Sequence, residues 1–513
     1  MQNLATRRVD GRPAAEDDGD RSSKRHAGAG RRPPDRDGGG RREAVDNVST
    51  PAPLTDELLE AFRRRVGGTV YLADEPGYDD ARLVWNGMID RRPIAVVRAA
   101  TVGDIGAVID FARETGLPLA VRGGGHGVAG HGTVDGGIVL DLGSLHFVEV
   151  DAAAGTVTAE PGATLADLDA ATAVHDLAVP AGVVSMTGVA GLTLGGGVGW
   201  LTRAHGLTID NLLAADVVTA GGGTIHASAE ENPDLFWGIR GGGGNFGVVA
   251  SFTFRAHPLP PLLYAGNLVY SEERWIDALR AWEEWTRDLP DEMQSIISFM
   301  VPPPAWELGD APVMLVGFAW AGSDHEAGAG VVAPLLAAAP AEVELVEPVP
   351  WPAWQGQADV LFPRGSRAYW KNTAFDRLDD AVIETIALRA AEQTWRGTGF
   401  DIHHMGGAYA RVPEDATAFP TRAARFWFNA YGFWSDAADD ADRTAFVRGI
   451  GADMEPFSAG AQYVNFVGVD DPADVHGQAA RIWGPDKLDR LRALKRRYDP
   501  GNLFRLNHNI APE

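Results

Sequence analysis

The chain has 513 residues, of which 45% are hydrophobic, and its formal net charge at pH 7 is -25. This length allows two or three packed units at roughly 100 to 200 residues per domain, and the negative surface field disfavours nucleic acid as a partner. The chain contains no cysteine, which excludes disulfide scaffolds, thiolate metal sites and thiol nucleophiles.

The sequence also lacks segments that would direct the chain to a membrane. No apolar run approaches the roughly 18 residues that a membrane span requires. No hydrophobic stretch follows the N-terminal charges, as a secretory signal would require. We therefore expect a soluble, cytoplasmic protein with no membrane partner. The missing cysteines do not decide the compartment, because an exported protein need not contain disulfides.

Residues 1–54 differ in composition from the remainder of the chain. They are rich in Arg, Asp, Gly and Pro and show no apolar periodicity. Such a segment cannot bury enough apolar surface to offset the entropy lost on ordering. The sequence predicts a disordered N-terminal tail.

From Pro93 onward, short β-branched segments alternate with a helical stretch and glycine-rich turns. The first three segments predict a strand, a helix and a strand, and they read PIAVVRA, VGDIGAVIDFARETG and LPLAVRGGG. Thr101 is the expected N-cap of this helix and Gly116 its expected stop. Further strands are predicted at GGIVLDL, FVEVD, GTVTAEP, AADVVTAGG and VVASFTFRA. This mixture indicates an α+β domain and not a regular doubly wound sheet.

A second domain is predicted after the proline cluster at Pro258, Pro260 and Pro261. It contains long amphipathic helices such as EERWIDALRAWEEWTRDL and strands such as SIISFMV, VMLVGFAWAG and ARFWFNAYGFW. We expect an antiparallel sheet with helices over residues 259–454. The last segment, residues 455–513, adds YVNF, a helix LDRLRALKRRYDP and the ending GNLFRLNHNI.

Four glycine clusters stand out: RGGGHG, GLTLGGGVG, AGGGT and RGGGGNFG. Glycine brings backbone N–H groups close to a ligand, so such loops can hold an anionic pyrophosphate. AGGGT lies between two strands and is expected to be a hairpin turn. In the last cluster, Gly242, Gly244 and Gly247 satisfy G-x-G-x-x-G, but they follow a helical segment and precede a strand, which is the wrong order for a Rossmann site.

Other catalytic motifs are missing from the sequence. The phosphate-binding G-x-x-x-x-G-K-[ST], the zinc motif H-E-x-x-H and the hydrolase motif G-x-S-x-G do not occur. Kinase, zinc-protease and hydrolase functions therefore have no support, and we predict no metal site. His126 lies in a glycine loop directly after a strand, where little crowding would leave its imidazole exposed to a ligand; a surface or local hydrogen-bonding role is the alternative.

These segments resemble a known family of flavoenzymes. RGGGHGVAGHGTVDGGIVLDL, VPAGVVSMTGVAGLTLGGGVGWLTRAHGLTIDNLLAADVVTA and NPDLFWGIRGGGGNFGVV resemble the PCMH-type FAD-binding domain of the vanillyl-alcohol-oxidase superfamily. The ending, from YVNF to LKRRYDPGNLFRLNHNI, narrows the resemblance to the berberine-bridge-enzyme-like FAD-linked oxidases. The resemblance covers most of residues 55–512 and is weakest between about 265 and 400. It implies an FAD-binding domain split into residues 55–258 and 455–513 around the substrate domain.

The resemblance also implies how FAD is held. His126 occupies the place of the histidine that joins the flavin 8α-methyl carbon, and the loop from Arg122 to Gly127 would wrap the pyrophosphate. Many members form a second bond from a cysteine, and Val184 stands at that position here, so a single linkage is expected. The residues expected at the cofactor are Arg122, Gly123, Gly124, Gly125, His126, Gly127, Gly130, His131, Gly182, Val184, Ser185, Gly188, Gly191, Gly196, Gly197, Gly199, Asp210, Gly247, Val249, Asn465 and Asn507.

The implied activity is oxidation of an alcohol or hemiacetal carbon of a small molecule, a sugar or a natural product, by hydride transfer to FAD. Molecular oxygen is the expected acceptor; a dehydrogenase with another acceptor and a flavin-binding protein without turnover are the alternatives. Such a reaction requires a base for the hydroxyl proton. Tyr463 matches the tyrosine of the family's Tyr-x-Asn motif and is the candidate base, with packing on a central strand as the alternative.

Other polar and aromatic side chains allow two interpretations. Asn465 and Asn507 match family positions close to the flavin, but each could instead hold two loops together. In the second domain, several side chains could face a substrate or could serve the core: Tyr369, Lys371, His403, His404, Trp427, Tyr431 and Trp434.

Overall fold

The computed structural model of the chain describes residues 54–468 and 475–512. The tail predicted for residues 1–54 lies outside the described residues except for its last position. In the part of the chain that is described, no helix combines the length and the apolar character needed to cross a membrane.

The first structural unit is a four-stranded sheet with strand order β1-β2-β4-β3, in which β2 and β3 both run parallel to β4. The predicted strand, helix and strand after Pro93 are present, and Thr101 forms a capping box with Asp104 at the start of the helix. Gly116 ends that helix with a φ of 68°. The elements are α1 (Asp56–Arg63), β1 (Thr69–Leu72), α2 (Tyr78–Arg82), β2 (Ala95–Arg98), α3 (Val102–Thr115), β3 (Leu119–Arg122) and β4 (Ile138–Asp141).

The second unit is an antiparallel five-stranded sheet with order β5-β6-β10-β8-β9. The AGGGT cluster joins two strands that pair with each other, which confirms the predicted hairpin turn. The elements are β5 (Val148–Asp151), β6 (Thr156–Ala159), α4 (Leu165–Ala173), β7 (Leu177–Ala178), α5 (Val189–Gly195), α6 (Thr202–His205), β8 (Leu212–Val218), β9 (Thr224–Ser228), α7 (Pro233–Ile239), β10 (Val248–Arg255) and β11 (His257–Pro258). Together the two units confirm the α+β class.

The third unit is an antiparallel seven-stranded sheet with order β15-β12-β14-β13-β17-β18-β16. Its elements are β12 (Leu262–Tyr270), α8 (Trp275–Trp285), β13 (Met293–Met300), β14 (Val313–Trp320), α9 (His325–Ala338), β15 (Val343–Pro350), α10 (Trp351–Gln355), β16 (Arg367–Phe375), α11 (Asp380–Ala391), β17 (Thr398–His404), α12 (Ala408–Arg411), β18 (Phe426–Trp434) and α13 (Asp440–Met454).

Strand alternation divides this third sheet into two faces. In β18, Phe426 and Phe428 pack in one core with helix residues such as Trp282. Trp427 and Tyr431 belong to separate clusters on the opposite face. Helices therefore cover one face of the sheet, and the other face meets the first two units.

The chain then returns to the second unit through α14 (Val475–Tyr498), which kinks at Gly484. Leu491 and Leu494 of this helix share a core with Trp237 and Phe246. The FAD-binding domain that the sequence implied is thus split around the seven-stranded domain.

A fully buried ion pair holds the C-terminal segment against the second unit. Lys495 and Asp499 are both 0% exposed, and the Lys495 ammonium donates to the Asp499 carboxylate at 2.7 Å. The same ammonium donates to the backbone oxygens of Asn245 and Phe504, each at 2.8 Å. Because all three ammonium protons have acceptors, the desolvation penalty of burying the charge is offset. The C-terminal segment is therefore attached directly to the glycine loop around Asn245.

Replacing this lysine tests its structural importance. We expect Lys495→Met to lower the free energy of unfolding by about 3–5 kcal/mol, because Asp499 would remain as an uncompensated buried charge. The matched control is Arg497→Met, which breaks a more exposed pair with Asp234 and should cost about 1 kcal/mol or less. Denaturant unfolding of both variants measures the difference. If the two variants unfolded at the same denaturant concentration, the buried Lys495–Asp499 pair would not have the structural importance proposed for it.

Candidate active site

A cavity of about 330 Å³ lies where the glycine loops meet the uncovered face of the seven-stranded sheet. One wall is formed by the loops near Gly124, Gly188 and Gly244, and by the C-terminal residues near Asn507. The other wall is formed by side chains from β16, β17 and β18. Most of the residues expected at the cofactor line this cavity: Arg122, Gly123, Gly124, Gly125, His126, Gly127, His131, Gly182, Val184, Gly188, Gly191, Gly247, Val249, Asn465 and Asn507. Tyr463, the candidate base, lines it as well.

The glycine wall consists of bare backbone. A Cβ atom added at Gly124 would lie 2.6 Å from the Gly188 Cα atom, so only glycine permits the two loops to approach this closely. At Gly127, Gly191 and Gly244, an added Cβ would meet no atom within 4 Å, so these positions open onto free space. Backbone N–H groups with no side chain in front of them suit a pyrophosphate. This part of the site therefore fits an FAD molecule.

Arg122 supports this wall from behind. Its guanidinium is 6% exposed and pairs with Asp141 at 3.1 Å. It also donates to the backbone oxygens of Ala81 and Leu83. Its positive charge is therefore already compensated, and the side chain fixes the start of the loop instead of reaching toward a phosphate.

His126 is half-buried, whereas the sequence predicted an exposed imidazole. Its ring stacks on Trp85 with centroids 4.8 Å apart, and Nε2 is buried without a hydrogen-bond partner. Burial lowers the pKa of His126 to about 4, and the nearby Asp359 carboxylate only partly opposes this shift. The imidazole is thus neutral at pH 7 and keeps a lone pair, which is the form required of a nucleophile.

The turn at Val184 supplies an apolar part of the cavity wall. Val184 is 6% exposed and offers no nucleophilic atom. The next residue, Ser185, donates its backbone N–H to Asp359 at 2.8 Å. Gln355 donates to the Gly182 oxygen at 2.7 Å. Asp359 and Gln355 both belong to the domain of the seven-stranded sheet, so this turn is held across the boundary between the two domains.

Tyr463 is buried and lines the cavity. It lies just before a short turn, Val464–Phe466, and not on a central strand. Its Oη atom accepts hydrogen bonds from the Gly197 N–H and from Asn465 Nδ2, both at 2.8 Å. Burial raises the pKa of Tyr463 to about 12, although these N–H donors oppose the shift. The donors would stabilise a phenolate while the proton is away.

Both asparagines of the C-terminal motifs hold loops and also line the cavity. Asn465 donates to the Leu192 oxygen at 2.9 Å as well as to Tyr463. Asn507 donates to the Gly244 oxygen at 3.1 Å, and its Oδ1 atom is buried without a partner. The two interpretations from the sequence are therefore compatible with each other.

Six residues expected at the cofactor do not line the cavity: Gly130, Ser185, Gly196, Gly197, Gly199 and Asp210. Two of them have clear structural contacts. Gly197 positions the Tyr463 hydroxyl through its N–H. Asp210 forms two hydrogen bonds of 2.7 Å with the buried Arg422 guanidinium, so it joins the two domains.

The structure shows which of the ambiguous side chains of the second domain line the cavity and which pack in the core. His403 lines the cavity, whereas His404 packs edge-on against Trp282 in the core. Tyr369 packs in the same core and accepts a hydrogen bond from Arg448. Trp434 also packs in that core.

Several cavity residues were missed at the sequence level. Trp85, Phe362, Trp370, Asp401 and Asn429 all contribute to the site, Trp85 by stacking on His126 and the others as lining. A charged residue inside the apolar segment GFDIHH was a usable signal for Asp401, because unpaired carboxylates are rarely placed in buried strands. Among the described residues, no group of three His, Asp or Glu side chains could hold a metal ion.

Known proteins with related sequences and folds are flavoenzymes. Residues 93–228 match a family described as an FAD binding domain, and residues 462–511 match one described as berberine and berberine like. An uncharacterized FAD-linked oxidoreductase of Bacillus subtilis is 30% identical over 87% of this chain and 98% of its own length. A xylooligosaccharide oxidase of Thermothelomyces thermophilus is 30% identical over 83% of this chain and 89% of its own.

A solved structure shows the same arrangement. The crystal structure of 6-hydroxy-D-nicotine oxidase from Arthrobacter nicotinovorans superimposes with a TM-score of 0.78 at 28% identity. The superposition covers 87% of this chain and 98% of that chain. The likeness therefore extends over both domains and is not limited to the glycine loops.

Because several histidine side chains are buried, we expect the folded chain to become less stable in acid. Burial lowers the pKa of His131 and of His403 to about 4, so both stay neutral in the folded chain. In the unfolded chain a histidine binds a proton below about pH 6.5. The free energy of unfolding should therefore fall as the pH falls from about 6.5 to 4, by up to about 1.4 kcal/mol per pH unit for each group.

His403→Asn should make this pH dependence shallower, because one such group is removed. His226→Asn is the control, since that ring is 47% exposed. Denaturant unfolding at several pH values between about 4 and 7 gives the slopes. A His403→Asn slope equal to that of the parent chain would contradict the account.

Proposed function

The chain belongs to the berberine-bridge-enzyme-like family of FAD-linked oxidoreductases, and from this membership we propose that it oxidises an alcohol or hemiacetal carbon of a sugar or natural product, with molecular oxygen as acceptor. The observation that carries the proposal is Tyr463, which lines the same cavity as His126 and whose hydroxyl accepts hydrogen bonds from two N–H donors. We assign residues 55–258 and 455–513 to the FAD-binding domain and residues 259–454 to the substrate domain.

We also propose that His126 bonds covalently to the flavin 8α carbon and that this is the single linkage. The support comes from its neutral imidazole, its Nε2 atom without a partner and its stacking on Trp85, which fixes the ring orientation. Val184, at the place where relatives supply a cysteine, offers no second bond. The remaining contacts to the cofactor would come from the glycine backbone and from Asn507.

The covalent bond is tested by acid precipitation. The parent polypeptide should stay yellow after denaturation and washing, and it should carry the added mass of a flavin nucleotide. His126→Ala should lose both signals, because it removes the imidazole that forms the bond. His131→Ala, a change in the same loop, is the control and should keep the colour. Colour retained by the washed His126→Ala polypeptide would assign the bond to another residue.

Tyr463 acts as the base in this proposal. The glycine loops and His126 would hold FAD, which would supply the acceptor for a hydride from the substrate carbon. Tyr463 would take the hydroxyl proton as the phenolate, and the Gly197 and Asn465 donors would stabilise that phenolate oxygen before the proton arrives. The Tyr463 ring packs against Phe419, Trp427 and Phe466, and these aromatic side chains would exclude water from this part of the site.

The role of Tyr463 is tested by rapid reduction of the flavin. Tyr463→Phe should slow bleaching of the flavin absorbance by an alcohol substrate about 10²–10⁴-fold, with the flavin content unchanged. Tyr409→Phe is the matched control, because that buried hydroxyl donates to the Thr421 oxygen outside the cavity. Bleaching by Tyr463→Phe at the parent rate would remove Tyr463 as the base. Hydrogen peroxide formed in step with substrate oxidation identifies oxygen as the acceptor.

A further inference from the structure

Asp401 differs from every other residue of the cavity wall. It is the only acidic side chain among the described residues that line the cavity. Arg122 is the only Lys or Arg in the same lining, and its charge is paired with Asp141. The cavity therefore presents one carboxylate and no available cation to a substrate.

The sheet register places Asp401 on the face that holds Tyr463. Asp401 stands opposite Ser298 of β13 on one side and opposite Asn429 of β18 on the other. Asn429 in turn stands opposite Asn372 of β16. Asn372 accepts a hydrogen bond from the Tyr463 backbone N–H at 2.8 Å. This polar row of four side chains thus crosses the sheet and ends beside the proposed base.

The Asp401 carboxylate has only hydroxyl partners. Tyr431 Oη donates to it at 3.2 Å, and the Ser298 side chain is its second partner. Burial raises the pKa of Asp401 to about 6, and the two hydroxyl donors oppose this shift. A buried carboxylate without a cation carries a desolvation penalty that two neutral hydroxyl groups offset only in part.

Aromatic rings pack around Tyr431, the hydroxyl donor to this carboxylate. The Tyr431 ring lies 5.2 Å from the Phe433 ring and 5.9 Å from the Phe362 ring. Gly399 makes room for this arrangement, since a Cβ there would lie 2.7 Å from the Tyr431 ring. Trp370 lies 6.4 Å from Phe433 and keeps an indole N–H without a partner. Aromatic faces next to a carboxylate favour a positively charged ligand.

We propose that Asp401 and the aromatic rings that line the same cavity, Phe362 and Trp370, bind a positively charged nitrogen of the substrate, so that the preferred substrates are alcohols that also carry an amine. The inference rests on the proposed function, because Tyr463 and FAD act on the alcohol while Asp401 holds the amine. Anionic substrates such as sugar acids are rejected, since the cavity would place two negative charges together. Asp401 is a specificity residue in this account.

The test measures binding of three probes of similar shape to the flavin-loaded protein. The probes are benzyltrimethylammonium, benzyl alcohol and benzoate. Their binding is measured by the shift of the flavin spectrum and by calorimetry. The parent protein should bind benzyltrimethylammonium about tenfold or more tightly than benzyl alcohol, and benzoate should bind most weakly. Asp401→Asn, which keeps the shape and removes the charge, should abolish the preference without loss of flavin.

Asp169→Asn is the matched control, because it removes the carboxylate of a buried aspartate that does not line the cavity and should keep the preference for the cation. Benzyl alcohol or benzoate bound by the parent protein as tightly as the cation would overturn the inference, even if no Asp401 variant folds. A preference that survives Asp401→Asn would overturn it as well. Bleaching of the flavin by alcohols is recorded separately, so failure of the proposed oxidation is distinguishable from failure of the amine site.

Discussion

The cavity depends on the close approach of backbone to backbone at glycines. A Cβ at Gly124 would collide with Gly188, and a Cβ at Gly199 would lie 1.9 Å from the Ala181 oxygen. A Cβ at Gly195 would lie 2.0 Å from the Asn465 Oδ1 atom. The missing side chain at Gly195 therefore also allows the Tyr-x-Asn motif to pack directly against this glycine loop. These contacts leave a wall of peptide groups that can approach a dinucleotide directly. The buried Lys495 ammonium then holds the C-terminal segment against that wall.

The opposite wall has a different physical origin. Alternation along β16, β17 and β18 sends one set of side chains into a helix-covered core and the other set toward the cavity. That second set includes Trp370, Asp401, His403 and Asn429. Three of these carry a buried polar atom without a partner, and Asp401 lacks a cation. Unsatisfied buried groups are costly in a packed core, and their clustering on one wall is typical of a binding site.

The sequence predicted more residues of the cavity wall formed by the glycine loops than of the wall formed by β16, β17 and β18. Local signals identify the first: a capped helix at Thr101, a hairpin at AGGGT, and long motifs that place His126, Tyr463 and Asn465 in a family. The second depends on strand register, which pairs Asp401 with Asn429 across 28 positions of sequence. No local pattern gives that pairing. The same limit explains why Trp85, far from His126 in sequence, was not predicted to stack on it, and why His126 was expected to be exposed.

The central claim is that FAD lies between these two walls with its ring system joined to His126 and beside Tyr463. A crystal structure of the purified yellow protein tests this claim most directly. The account predicts electron density that runs without a break from the His126 ring into the flavin, with the Tyr463 hydroxyl next to the ring and the pyrophosphate on the glycine loops. Flavin density located elsewhere, or separated from His126 by a gap, would contradict it.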